Sequence, residues 1–348
     1  MTPPDIPPAS RDTPYAGLKP EVVLDALDGV GLRGDGRMLQ LNSYENRVFQ
    51  VFLEDGRVVV TKFYRPGRWS DEQILEEHEF TAELAADEIP VVAPWVLSRV
   101  DGSALTPALR GEPPTLAEVV TRSGAYRFAV APRRAGRAPE LDVPATLEWI
   151  GRFIGRMHAV GSRKPFRFRR ALSVAEFGWA ARDWIREHRI VPPDAAAPWE
   201  RAAEHALALA EQAFERAGPV RQIRLHGDCH VGNVLWTDAG PHFVDLDDAL
   251  TGPAVQDLWM LLSGDSAAYR QQLRALLTGY EAFMDFDDRE LTLIEPLRTL
   301  RIVHHSAWLA KRWNDPAFPA AFPWFTDAAY WQQQAQLLQE CVARMQDG

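Results

Sequence analysis

Between residues 38 and 64 the apolar positions follow a period of two. In Arg47 to Leu53, Val48, Gln50 and Phe52 alternate with Phe49, Val51 and Leu53, and Met38 to Leu41 and Arg57 to Tyr64 read as strands in the same way. Asp55-Gly56 supplies a two-residue turn between the second and third runs, so the three predict an antiparallel meander. On either side the period lengthens. "KPEVVLDALDGVG" places Val22, Val23, Ala26 and Leu27 on one face after a proline and ends in glycines, which predicts a short helix. "SDEQILEEHEFTAELAADEIP" opens on a Ser N-cap, carries acids in its first turn and repeats Ile74, His78, Thr81 and Leu84 until Pro90 stops it. "VVAPWVLSRV" and "AYRFAVAPRR" predict two further strands.

The Gly/Arg/Pro-rich segment "RRAGRAPELDVP" then reads as a connection between lobes. Beyond residue 144 the pattern is helical in "TLEWIGRFIGRMHAV", "VAEFGWAARDWIREH", "WERAAEHALALAEQAFERA", "PAVQDLWMLLSG", "AAYRQQLRALLTGYEAF" and "LIEPLRTLRIVHHSAWLAKRW", with one hairpin inserted at "VLWTDAGPHFVDLDD". Strands segregated from helices predict an α+β, two-lobed architecture: an N-lobe of an antiparallel sheet with one helix, and a larger, mainly helical C-lobe. A chain of 348 residues is long enough for two cores. We place a flexible, Pro-rich leader at 1–20, the N-lobe at 21–135 and the C-lobe at 136–348.

Composition narrows the function classes. With 46% hydrophobic and 25% charged residues the chain reads as globular, and no apolar stretch approaches the roughly 18 residues of a membrane span. The N-terminus has neither the basic nor the apolar region of a secretory signal. Two cysteines give no disulfide framework, which fits a reducing cytoplasm. A net charge of −10 argues against a nucleic-acid partner. The basic cluster "RSGAYRFAVAPRRAGR" nonetheless suits a small phosphate.

The densest chemistry is "HGDCHVGN", residues 226–233. Its histidines read most plainly as ordinary loop residues. His226, Asp228, Cys229 and His230 are also all zinc-ligand types, but four ligands within five residues close no loop, and no second Cys/His pair follows at finger spacing. A third reading takes in the surroundings. Asp228 is followed five positions later by Asn233, then by a strand, a turn and a strand ending in "VDLDD"; this resembles the catalytic loop and metal-binding hairpin of the protein-kinase-like fold. That resemblance makes Asp228 the base for an acceptor hydroxyl, and Asn233 and Asp245 the oxygen ligands of Mg²⁺. Asp247 then assists or is exposed, and Asp248 is exposed or caps a helix.

The same resemblance requires a lysine on the third strand and a helical glutamate to hold it. Lys62 fills the first role. Of Glu76, Glu77 and Glu79 we select Glu77, and expect the others to lie on a solvated face. The phosphate-covering loop falls at "LNSYENRV", which has no glycine and leaves the Ser43 hydroxyl and nearby amides to contact phosphate, or else is a plain turn. Pro132 lacks an N–H, so an adenine would take its backbone donor from Arg134. Asp257 is placed to brace the catalytic loop or to act as a local helix cap.

Together, "LNSYENRVFQV", "VVVTKFYRP", "LHGDCHVGNVLW", "HFVDLDDA" and "GPAVQDLWMLL" resemble the aminoglycoside/choline phosphotransferase branch of the protein-kinase-like superfamily, and within it the stress response kinase A type of bacterial serine/threonine kinase. The resemblance runs from about residue 20 to the end. It implies a bilobal kinase-like fold, ATP as co-substrate with Mg²⁺, protein substrates phosphorylated on Ser/Thr, autophosphorylation, and a cytoplasmic monomer acting in stress survival. The competing reading is a small-molecule kinase for an amino alcohol or aminoglycoside, since the same residues serve any hydroxyl. His230 reads as a γ-phosphate contact or a satisfied loop residue, and Cys229 as an oxidant sensor or an inert thiol. Trp308, Trp313, Phe318, Phe322, Trp324 and Phe325 read as core and lid, or as a wall of the acceptor cleft.

Overall fold

The computed structural model describes residues 14–264 and 266–347. It is an α+β molecule of two lobes. Helix α1 (Pro20–Asp28) precedes the meander β1 (Gly34–Leu41), β2 (Arg47–Leu53) and β3 (Val58–Phe63). Helix α2 (Asp71–Ala86) follows, then β4 (Ala108–Arg110), β5 (Leu116–Thr121) and β6 (Gly124–Pro132). The strands form one antiparallel sheet in the order β1-β2-β3-β6-β5-β4. Strand alternation decides its two faces. Phe49, Val51, Leu53, Val59 and Phe63 are buried on one side with Val23 and Leu27 of α1, which turns Lys62 to the other side, opposite Ala129. There Ile74 of α2 packs with Leu116 and Ala129.

Helix α2 starts as its sequence predicts: the Ser70 hydroxyl accepts from the Gln73 amide, and the Gln73 side chain accepts from the Ser70 amide. Val91–Val100 departs from expectation and forms no strand. Pro90 and Pro94 remove ladder donors, so the segment follows the sheet through isolated bonds, Trp95 N–H to Val130 O and Leu97 N–H to Pro114 O. The unanticipated strand β5 pairs with β6 in its place. The flexible-leader expectation for residues 1–13 lies outside the described residues. Tyr15, within the same predicted leader, is instead buried, its hydroxyl donating to Glu45 O at 3.0 Å.

In the C-lobe, α3 (Pro144–Gly161) leads through a π turn at Ala175–Trp179 to α4 (Ala180–Glu187) and α5 (Pro193–Ala217). Strand β7 (Ile223–Leu225), the hairpin β8 (Val234–Thr237) and β9 (Gly240–Phe243), and β10 (Leu250–Gly252) carry the candidate site. Helices α6 (Ser266–Tyr280), α7 (Ile294–Lys311), α8 (Ala317–Ala321) and α9 (Ala328–Asp347) complete the lobe. One core joins Ile150, Ile154 and Met157 of α3 to Leu276 and Tyr280 of α6, and extends to Phe80 and Leu84 of α2. A second gathers Ile185, Trp199, Leu207, Val303, Trp331 and Leu338 from α4, α5, α7 and α9. The helix expected at "PAVQDLWMLL" is two successive 3₁₀ turns, Ala254–Asp257 and Trp259–Leu261. Its polar groups bond outward: Glu290 accepts from the Val255 amide, and the Gln256 and Asp257 side chains engage the loop after β7. No helix among the described residues is long and apolar enough to cross a membrane.

Candidate active site

The loop His226–Asn233 leaves β7 where Leu225 pairs with Leu250 of β10. Asp257 braces it from below. One carboxylate oxygen accepts from the His226 amide at 2.7 Å and the other from the Gly227 amide at 2.8 Å, while His158 of α3 lies 3.0 Å from the first. Asp257 therefore holds the loop rather than capping its own turn. Gly227 has φ +85°, and a Cβ there would sit 2.2 Å from Asp248 O, so the turn requires glycine. His226 is fully buried, with Nε2 2.9 Å from Val244 O and Nδ1 taking the Asp228 amide at 3.4 Å. Both ring nitrogens thus bond within the protein. The ring ties the loop to the residue before Asp245.

Asp228 points between Arg301 and His230. Arg301 Nη1 of α7 donates to Oδ1 at 2.6 Å, and His230 Nε2 lies 3.5 Å from Oδ2. The Gly232 amide donates to His230 Nδ1 at 2.9 Å, which directs the ring's other nitrogen, with its hydrogen, at Asp228. Burial pushes the Asp228 carboxyl up, but His230 and Arg301 outweigh it and hold the carboxyl well below the usual range. Asn233 donates from Nδ2 to Asp228 O at 2.9 Å, which fixes the amide and leaves Oδ1 as a free acceptor.

The β8–β9 hairpin pairs Val234 with Phe243, and the Val244 amide donates to Asn233 O at 3.0 Å. Asn233 and Asp245 are thereby fastened to one backbone junction. Asp245 occupies the left-handed region at φ 61°, a strained setting that recurs at functional sites. Its side chain is 52% exposed and its Oδ1 accepts from Lys62 Nζ at 2.8 Å. Desolvation depresses the ammonium, yet Asp245, Asp247, Tyr64 and Glu77 raise it further, so Lys62 is held well above its ordinary value. Glu77 is buried behind it, with Oε1 accepting from Thr81, and burial pushes its carboxyl up. Lys62 thus pairs directly with Asp245 here, and Glu77 contributes its field.

Glu79 lies on the exposed face as expected, but Glu76 is not left to solvent. Glu76 accepts from the backbone amides of Arg167, Phe168 and Arg169, and Glu79 pairs with Lys164. Asp247 is buried and bound to Arg68 at 2.6 Å and to Asn46 Nδ2 at 3.0 Å; Asp248 takes the other arm of Arg68 at 2.5 Å. Asp248 is neither loose nor a cap. Ser43 sits half-buried in the β1–β2 loop, and Arg134 is exposed just past β6, before Arg137 pairs its backbone with Trp236. Within that loop Glu45 binds Arg65, Arg312 and the Trp308 indole. Phe318 and Phe325 are core, Trp313 packs on Phe325, and Phe322 packs at a tilt against exposed Tyr44. Cys229 is fully buried and burial pushes its thiol up, which removes the thiolate an oxidant sensor needs.

Arg301, Arg68 and Glu45 were absent from the sequence reading. They come from distant elements and belong to no local spacing. The oxygen set of Asn233 Oδ1 and the Asp245 carboxylate suits a hard divalent cation such as Mg²⁺.

Residues 38–294 match the model of the phosphotransferase enzyme family. The chain is 44% identical to stress response kinase A of Escherichia coli (strain K12), covering 94% of this chain and 95% of that one. It is 43% identical to serine/threonine protein kinase RdoA of Salmonella typhimurium, covering 92% and 91%. Among solved structures, an amicoumacin kinase in complex with AMP-PNP and Ca²⁺ shares the fold at TM-score 0.65 and 18% identity, covering 89% of each chain.

Proposed function

This chain belongs to the phosphotransferase enzyme family, and we propose that it transfers the terminal phosphoryl group of ATP to serine or threonine hydroxyls of proteins, its own chain included. The observation that supports the reading is the pair of bonds from Asn233 Nδ2 to Asp228 O and from the Val244 amide to Asn233 O, which keeps Asp228, Asn233 and the residue before Asp245 on adjoining backbone. The relative named as a serine/threonine kinase supports a protein acceptor. The Asp228 carboxylate orients the acceptor hydroxyl and takes its proton. The hydroxyl oxygen forms a bond to the γ-phosphorus as the bond to the β-phosphate bridging oxygen breaks, and ADP leaves. Because phosphoryl transfer involves little covalent work by the protein, positioning is the larger part of Asp228's task.

Asn233 and Asp245 are the residues that would hold Mg²⁺, which supplies neutralisation of phosphate charge when bound. Lys62 contacts the phosphates, with Glu77 behind it; Ser43 and the loop amides cover them, and the Arg134 amide faces the adenine. In this reading the protein is a monomer of the bacterial cytoplasm engaged in stress response.

Incubation of the purified protein with γ-labelled ATP and Mg²⁺, in a lysate of the source cell, tests it. Label should appear on the enzyme and on other proteins and vanish in Asp228→Ala. Label found only on an added amino alcohol contradicts it.

A further inference from the structure

Helix α7 presents Arg301, His305 and Trp308 at spacings of four and three, and so on one face. Arg301 and His305 are exposed, and His305 stacks on Trp308 with centroids 5.5 Å apart. The face begins at Asp228, where Arg301 donates at 2.6 Å, and ends at Glu45, where the Trp308 indole donates at 2.6 Å. The neighbouring carboxylates all have cationic partners: Glu45 has Arg65 and Arg312, Asp247 and Asp248 share Arg68, and Asp245 has Lys62. Beside Asp228 an acceptor meets the exposed Arg301 side chain and, next to it, the His305 and Trp308 rings.

A cationic acceptor would bring like charge against Arg301, which costs binding. An acidic one would be drawn in. The side chain is 42% exposed, and its guanidinium carries five donors in a planar fork matched to a carboxylate and commits one to Asp228. Its bond to Asp228 is made at an exposed position, so it is free to change partners.

We propose that Arg301 is the acceptor-selecting residue: it turns from Asp228 to a carboxylate carried beside the accepting serine or threonine, so that the preferred acceptor is an acidic peptide segment. The exchange also releases Asp228 Oδ1 for the incoming hydroxyl. This inference rests on the protein-kinase reading above.

The test compares kcat/KM for two synthetic peptides of equal length, one with serine flanked by Asp and Glu and one flanked by Lys and Arg, with ethanolamine as a cationic small acceptor. The wild type should prefer the acidic peptide by about tenfold or more, as expected where charges meet with little solvent between them. Arg301→Glu should reverse the preference and Arg301→Lys should keep most of it; added salt should weaken it in the wild type. Transfer with the same preference in wild type and Arg301→Glu, or a wild-type preference for the basic peptide, overturns the proposal alone, whereas transfer to ethanolamine and to neither peptide overturns the protein-kinase reading with it. Absence of transfer to every acceptor and to the enzyme itself overturns the kinase reading and this proposal with it.

Discussion

Asp228 is a half-buried carboxylate kept ionised by what surrounds it, and this sets what its replacement should do. Asp228→Asn keeps the shape but removes both the proton acceptor and the charge facing Arg301. Phosphoryl transfer should fall by about 10²- to 10⁴-fold, the range of a lost general base. Asn233→Ala and Asp245→Ala should instead raise the Mg²⁺ concentration for half-maximal activity by about tenfold or more, read from a metal titration of the transfer rate. Unchanged Mg²⁺ dependence in both would refute the ligand assignment. These three residues were legible in the sequence because one loop and the hairpin after it set their spacing. Arg301 was not, because it reaches Asp228 from a helix 73 positions away. Nor was the pairing of Lys62 with Asp245 in place of Glu77, which follows from how closely the lobes approach.

At the scale of elements, the loop His226–Asn233 depends on the 3₁₀ turn Ala254–Asp257. Asp257→Ala would strip the acceptors from the His226 and Gly227 amides and leave both buried without partners. Loss of charge-assisted bonds of this kind costs about 3 kcal/mol or more, measurable by urea denaturation, and activity should be lost with it. Helix α2 offers a milder case. Ser70→Ala removes one half of the capping box and should cost about 1 kcal/mol by the same measurement. The N-terminus of α2 and the β1–β3 meander were readable because local signals and tertiary packing agree there. Val91–Val100 misled, since its apolar composition resembles a strand but its prolines deny it a ladder. "PAVQDLWMLL" misled for a related reason: its buried polar groups bond to other elements and leave no regular helix. Helix α9 also escaped the sequence reading, its core residues Trp331, Leu338 and Val342 being spread among glutamines.

Across the whole molecule the lobes are clamped together by polar groups. Glu76 of the N-lobe accepts three C-lobe amides, Arg68 grips Asp247 and Asp248, and Arg65 reaches Asp315 at 2.5 Å. Global stability should also respond to pH through Glu290. Burial raises its carboxyl from 4.5 to about 7, against the lowering effect of the Val255 amide. Between those values the native state keeps a proton that the unfolded chain has released, so its stabilising effect is complete below pH 4.5 and is lost as pH rises through about 7. Denaturation across that window should show wild-type stability falling relative to Glu290→Gln by about 3 kcal/mol.

The central claim is that Asp228, Asn233 and Asp245 converge on the terminal phosphate of ATP, and the most direct measurement is a crystal structure of the protein with Mg²⁺ and a non-hydrolysable ATP analogue. That structure should show a metal ion bound by Asn233 Oδ1 and the Asp245 carboxylate, Lys62 against the phosphates with its ion pair to Asp245 loosened, and Asp228 facing the γ-phosphate. A triphosphate bound elsewhere, or a metal ion touching neither Asn233 nor Asp245, would contradict it.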